Sequence, residues 1–381
     1  MPSSPTDRPT TPSTVWAARG RHVGPDADDV LRHHLRRLKD EDTLDDFQEL
    51  PAAEDSPERI LEARWRVPGE VTVRARLTLV PAGDDGSEWT LVAEAEQPWD
   101  QSWPSPATLF WPDTPDAAWD HEAVTGLPFR DLTPLPSDDK AIRRLFKEAV
   151  RGWAVHVVVH EAMTTDDRGR RPLTRWLPPG LRHRVVEHRA APDQLRVVNW
   201  ALRSLGVEVP RGGAVVLPGH PVPPGYDGGD FAVRSVFLDG SEPTELIETV
   251  TRYAVLPKPL PDGADEALTA LREQWQLLTP EEELARERAL VAMYADALEA
   301  MTRSRDLYRE AAERANEALA AYREAVPGPA AEGPAGAPAG SPFQQLTRTF
   351  ERLKGSTRTL RPTRAEDDDQ DPPDTPGREV G

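Results

Sequence analysis

The sequence predicts an α+β chain: an N-terminal antiparallel-sheet domain, a small α/β domain, and a long C-terminal helix in a hairpin or coiled coil, ending in a disordered tail. Three observations carry this reading. Residues 71–93 alternate apolar and polar about a Gly/Asp-rich turn, the mark of a half-buried hairpin. Residues 138–260 interleave helical and strand patterns. From Thr279 to Ala325 a 3-4 apolar spacing runs without a proline beyond Pro280.

In chain order, residues 1–14 are Ser, Thr and Pro and read as a disordered leader. The first domain, residues 15–136, opens with a short strand from Val15. A helix after Pro25 and Asp26 follows, with Val30, Leu31, His34, Leu35 and Leu38 on one face. Residues 40–55 are acidic and read as a solvated connector. Val71, Val73, Ala75, Leu77 and Leu79 alternate against Thr72, Arg74, Arg76 and Thr78, and the chain returns through Trp89, Leu91 and Ala93. Ile60 to Val67 adds a strand, giving an antiparallel sheet with one wet face. Trp99, Trp103, Phe110, Trp111, Trp119 and Phe129 are spaced by prolines, which bars a regular element. They are read as covering the sheet, the alternative being an adhesive surface.

In the α/β domain, residues 138–260, helices are expected from Asp139, Pro192 and Pro243. Strands are expected near Ala154, Arg184, Ala214 and Phe231, with parallel pairing among them. Residues 262–326 are read as a helical hairpin. Its first helix carries Leu268, Leu271, Trp275 and Leu278, and its second carries the seam Val291, Tyr294, Leu298, Met301, Tyr308, Leu319 and Tyr322. Arg305 interrupts the seam. The flanking positions Ala297, Ser304, Ala311 and Ala318 are small, which widens the apolar face and favours a hairpin or bundle over a parallel two-stranded zipper. Forty-six residues of helix would reach about 69 Å. Residues 327–342 form an Ala/Gly/Pro linker. Residues 343–355 are a short amphipathic docking helix presenting Phe343, Leu346, Phe350 and Leu353, and residues 356–381 are an acidic disordered end.

Chemistry is sparse. The chain has no cysteine, so disulfides and thiolate chemistry are excluded, and no phosphate loop or nucleophile elbow is present. No apolar run reaches the roughly 18 residues of a membrane span, and no signal pattern opens the chain, which leads to a cytoplasmic expectation. The net charge of -19 opposes general nucleic-acid binding. His160-Glu161 and His121-Glu122 each begin a zincin pattern but have Thr where its second His belongs, so no metal site and no cofactor are expected. His156 and His160, with Asp166, Asp167 or Asp230, are the catalytic candidates of a hydrolase or nucleotide-processing reading. Arg168, Arg170, Arg171 and Arg175 lead a basic cluster extending to Arg189. It is a candidate anion or nucleic-acid contact, against a plainer reading as salt bridges. The reading adopted is a non-catalytic adaptor that joins a protein partner, or its own copies, through the seam and the docking helix.

Overall fold

The computed structural model describes residues 9–51, 57–83, 86–161, 171–236 and 243–325. The docking helix, Arg168, Arg170, Asp166 and Asp167 lie outside those residues. The chain divides into two units, residues 1–290 and residues 291–381.

The first sheet is antiparallel and six-stranded, in the order β2-β3-β4-β5-β1-β6. Its strands are β1 (Val15–Val23), β2 (Asp46–Leu50), β3 (Arg59–Val67), β4 (Val71–Pro81), β5 (Gly86–Ala95) and β6 (His121–Glu122). The hairpin β4/β5 holds the expected register, with Leu77 opposite Leu91 and Leu79 opposite Trp89. The alternation decides the core face: Val71, Val73, Ala75, Leu77 and Leu79 are all buried, against Leu31, Leu35 and Leu38 of helix α1 (Ala27–Asp40). Each fully buried Leu or Val contributes about 1.5–3 kcal/mol.

Three sequence expectations need correction in this half. The acidic connector contains strand β2, because an edge strand half exposed on both sides can be charged on both and still pair its backbone with β3. Residues 9–13 are not free leader: Thr10 bridges Pro259, and the Thr11 N–H donates to the Lys258 carbonyl at 2.8 Å. The wet face is partly covered. Helix α6 (Ala264–Glu273) packs Leu268 and Leu271 onto Val15, Ala17 and Val92, and Arg76, read as solvent-facing, is buried with Glu62 beneath its end. The mixed charge on that face hides a paired site rather than marking a solvated one.

The Trp/Pro segment covers the sheet, with Trp99, Trp103, Phe110, Trp111, Trp119 and Phe129 all buried. Against expectation it holds a regular element, helix α2 (Pro106–Phe110), because its proline stands in the first turn, where the missing N–H costs nothing. Trp111 stacks on Trp119 at 6.1 Å, and Trp119 meets His183 at 4.7 Å. Trp89 donates its indole N–H to the Trp119 carbonyl at 2.9 Å and lies across Gly20, where a Cβ would collide with the ring. Gly20→Ala is therefore expected to cost about 1–3 kcal/mol through overpacking, read from a urea unfolding curve.

The second sheet has the order β11-β10-β8-β9-β7. It is formed by β7 (Leu132–Pro134), β8 (Val155–His160), β9 (Val185–Ala190), β10 (Ala214–Val216) and β11 (Ala232–Val233). β7, β9 and β8 run parallel, while β10 and β11 are antiparallel to their neighbours, so the expected parallel pairing holds for the β8-β9-β7 half only. β7 falls inside the predicted first domain yet pairs with β9, so the proposed boundary at residue 136 does not separate the two sheets. Helices α3 (Asp139–Ala149) and α4 (Leu195–Leu202) bury Ile142, Phe146, Val198 and Leu202 with Val158 and Val215. On the other face Val155, Val157 and Val159 pack with Leu246, Val250 and Tyr253 of helix α5 (Thr244–Val255).

Helix α7 (Pro280–Ala325) starts on a capping box: the Glu282 N–H donates to Thr279 Oγ1 at 3.0 Å, and the Thr279 N–H donates to Glu282 Oε2 at 2.8 Å. None of its residues is buried. Helix α6 turns Leu268 and Leu271, read as its hairpin face, onto the first sheet.

Candidate functional site

The parallel strands β8 and β9 place the histidines. Side chains alternate, so His156, Val158 and His160 share a face with their register partners Val186, His188 and Ala190. His156 Nδ1 lies 2.9 Å from His188 Nε2 with the rings stacked, so one nitrogen donates and the other accepts. Burial lowers the pKa of both, His188 to about 4, and the neighbouring ring lowers His156 further. Two neutral imidazoles are thus held in the core, where neither touches a cleft: His156 is 2% exposed and His188 is fully covered.

His160 stands at the other end of β8. Its Nδ1 accepts from the Gly212 N–H at 2.7 Å, which puts its proton on Nε2, and burial lowers its pKa. It borders a cavity of about 1400 Å³ together with Asp193, Arg196, Trp200 and Arg211, beyond the carboxyl ends of β8 and β9. Ligands in α/β sheets enter at such strand ends. The candidates His156 and His160 are therefore not brought together. Asp230 is exposed and does not line that cavity, its backbone carbonyl accepting instead from Arg252. Among the described residues no group of three His, Asp or Glu could hold a metal ion. His121-Glu122 lies on a strand, where Glu122 accepts from Thr125 rather than facing a ligand.

The arginine cluster disperses. Arg189 pairs with Glu187 at 2.7 Å, both buried, and Leu173 donates its N–H to the same carboxylate. Arg175 and Arg182 border a cavity of about 550 Å³ shared with Asp113, Asp116, Asp120 and Asp131. Arg171 and Arg175 are exposed. Arg184 is half-buried, its guanidinium 5.6 Å from the Trp16 ring centre.

The helix seam is the most exposed apolar feature of the described chain. Exposure runs from 40% at Leu319 to 75% at Tyr308, with Val291, Tyr294, Leu298, Met301 and Tyr322 between 64% and 70%. Its outer face carries Glu299 paired with Arg303, and Glu310 with Arg314. The sequence reading missed two features, the Glu62–Arg76 clamp and the position of Lys258. The clamp joins segments some 200 residues apart and the wall around Lys258 is assembled from several separate segments, so a linear pattern carries no signal for either.

No helix among the described residues is long and apolar enough to cross a membrane. No family model matches the chain, and no curated protein matches it.

Proposed function

We propose that this chain is a non-catalytic interaction protein whose helix α7 associates with a second copy of itself, holding the N-terminal domains in one assembly. The observation that carries the proposal is the 3-4 seam, exposed along the whole helix. An isolated 46-residue helix draws stability only from propensity and i,i+4 pairs, so covering the seam gives it the packing it lacks. A second copy brings an identical seam, and a self-complementary face closes naturally as a symmetric dimer. The small flanks Ala297, Ser304, Ala311 and Ala318 let two backbones approach closely, while the charged outer face stays in water. The docking helix around Phe350, outside the described residues, would then be free for another protein. A cytosolic location belongs to the same proposal.

The test changes Leu298 and Met301 together to Asp, against a control changing Arg303 and Glu310 to Ala on the outer face. Sedimentation should show the seam variant as monomer and the control unchanged. Equal assembly in both would remove the seam from the account.

An enzyme of hydrolytic or nucleotide chemistry is the second reading. What favours it is the large cavity beside His160, with its mixed charges at the strand ends. It predicts that a His160→Asn protein keeps its assembly and loses an activity found with the native chain.

A further inference from the structure

A separate cavity, of about 450 Å³, lies where the first strand, the start of β8 and residues 257–261 meet. Its walls are mostly apolar and aromatic, including Trp99, Trp153 and Tyr253. Two cations, Arg184 and Lys258, line it, and no Asp or Glu does, although the chain carries 65 acidic residues and a net charge of -19. Neither cation has a carboxylate partner among the described residues. Arg184 Nε is buried without a hydrogen-bond partner, its guanidinium lies 5.6 Å from the Trp16 ring centre, and Lys258 Nζ sits 4.6 Å from the Tyr253 ring centre. Tyr253 Oη accepts from the Gly219 N–H at 2.9 Å, so its own O–H remains to donate. Both side chains are half-buried, and two partly desolvated cations facing one space without a counter-charge favour the entry of an anion.

We propose that this cavity binds a small organic anion, a carboxylate on a flat apolar body, with the carboxylate between Lys258 and Arg184 and the body against the aromatic wall. The volume is in the range of small-molecule sites, which run from about 300 to 1,000 Å³. The other ionisable groups on the wall are His220 and Tyr253, the latter raised to about 12 by burial. Burial, with the like charge of Arg184 adding, holds the Lys258 ammonium down to about 7. A bound anion reverses that electrostatic balance, so at pH 8 binding draws a proton onto Lys258. This inference is independent of the association proposed for α7.

The probe is 2-naphthoate added to the intact chain at pH 7, read by quenching of tryptophan emission, with neutral 2-naphthalenemethanol and inorganic phosphate as comparison arms. Expected are saturable binding at one site per chain, at least about tenfold tighter than the neutral alcohol, and at least about tenfold weakening in Lys258→Met. Lys258→Arg should bind like the native chain, and Arg175→Met, on another face, should have no effect. Tight binding of phosphate without naphthoate would overturn the apolar part of the proposal. Absence of saturable naphthoate binding, parity with the alcohol, or an unaffected Lys258→Met would overturn it whole. Should Lys258→Met fail to fold, calorimetry of the native chain at pH 8 in two buffers of different ionisation enthalpy decides. Proton uptake on binding is expected, and none would contradict the role of Lys258.

Discussion

A Glu62→Leu protein is expected to lose about 3–5 kcal/mol of stability, the cost of breaking a buried ion pair from one side. Glu62 is completely covered and accepts from Arg76 at 3.2 Å and from the backbone N–H groups of Gln276 and Leu277 at 2.8 and 3.1 Å. Arg76 in turn donates to the Ala270 and Gln274 carbonyls, at 3.2 and 3.4 Å. One carboxylate thus fastens the end of α6 to the middle of the first sheet. Removing it strands a guanidinium away from water and leaves two amides unpaired. Combining Glu62→Leu with Arg76→Met is expected to recover much of the loss, since neither charge then remains uncompensated. Urea unfolding of the native, single-variant and double-variant proteins measures this, and a single-variant loss under about 1 kcal/mol would mean that α6 is held by its apolar contacts alone.

Acidification is expected to have a comparable effect. His156, His183 and His188 are buried neutral, with His183 pushed down to about 3 and His188 to about 4, desolvation being the leading cause in each. The sign follows from linkage. Above the ordinary histidine value of 6.5 neither folded nor unfolded chain carries the proton, and the full stability is present. Below it the unfolded chain takes up protons that the folded one refuses, so stability falls until the folded values are reached. Between pH 6.5 and pH 5 the loss is about 1.5 kcal/mol for each of His183 and His188. Asp120 and Glu187, raised by burial, act in the opposite sense and offset part of it at lower pH. Urea midpoints should hold from pH 7.5 to about 6.5 and fall from there to pH 5, with a flatter slope in His188→Asn. A midpoint independent of pH over that range would contradict neutral burial.

The two sheets were legible wherever burial alternates on one face. Val71 to Leu79 could be read directly, as could the helix faces of Leu31, Leu35, Phe146 and Val198, because local period alone assigns them. Strand β2 was not, since its pairing depends on backbone groups at an edge that any side chain can share. The surface that covers α6 was not legible for a related reason. Leu268 and Leu271 fit a heptad, but a heptad states that a face is apolar and not which surface covers it. The candidate site fared worse. His156 and His160 share a strand face as their spacing requires, yet the first is hydrogen-bonded to His188, 32 residues on, and the second opens onto a cavity built by other segments. Lys258 carried no signal at all, because its place on a cavity wall is set by separate segments rather than by its sequence neighbours.

The central claim is that α7 covers its seam with another copy of the same helix, and the mass of the native chain in solution tests it most directly. Sedimentation equilibrium over a range of micromolar concentrations is predicted to give a mass above 42.2 kDa that rises with concentration toward an integral multiple. A single 42.2 kDa species at every concentration would contradict it.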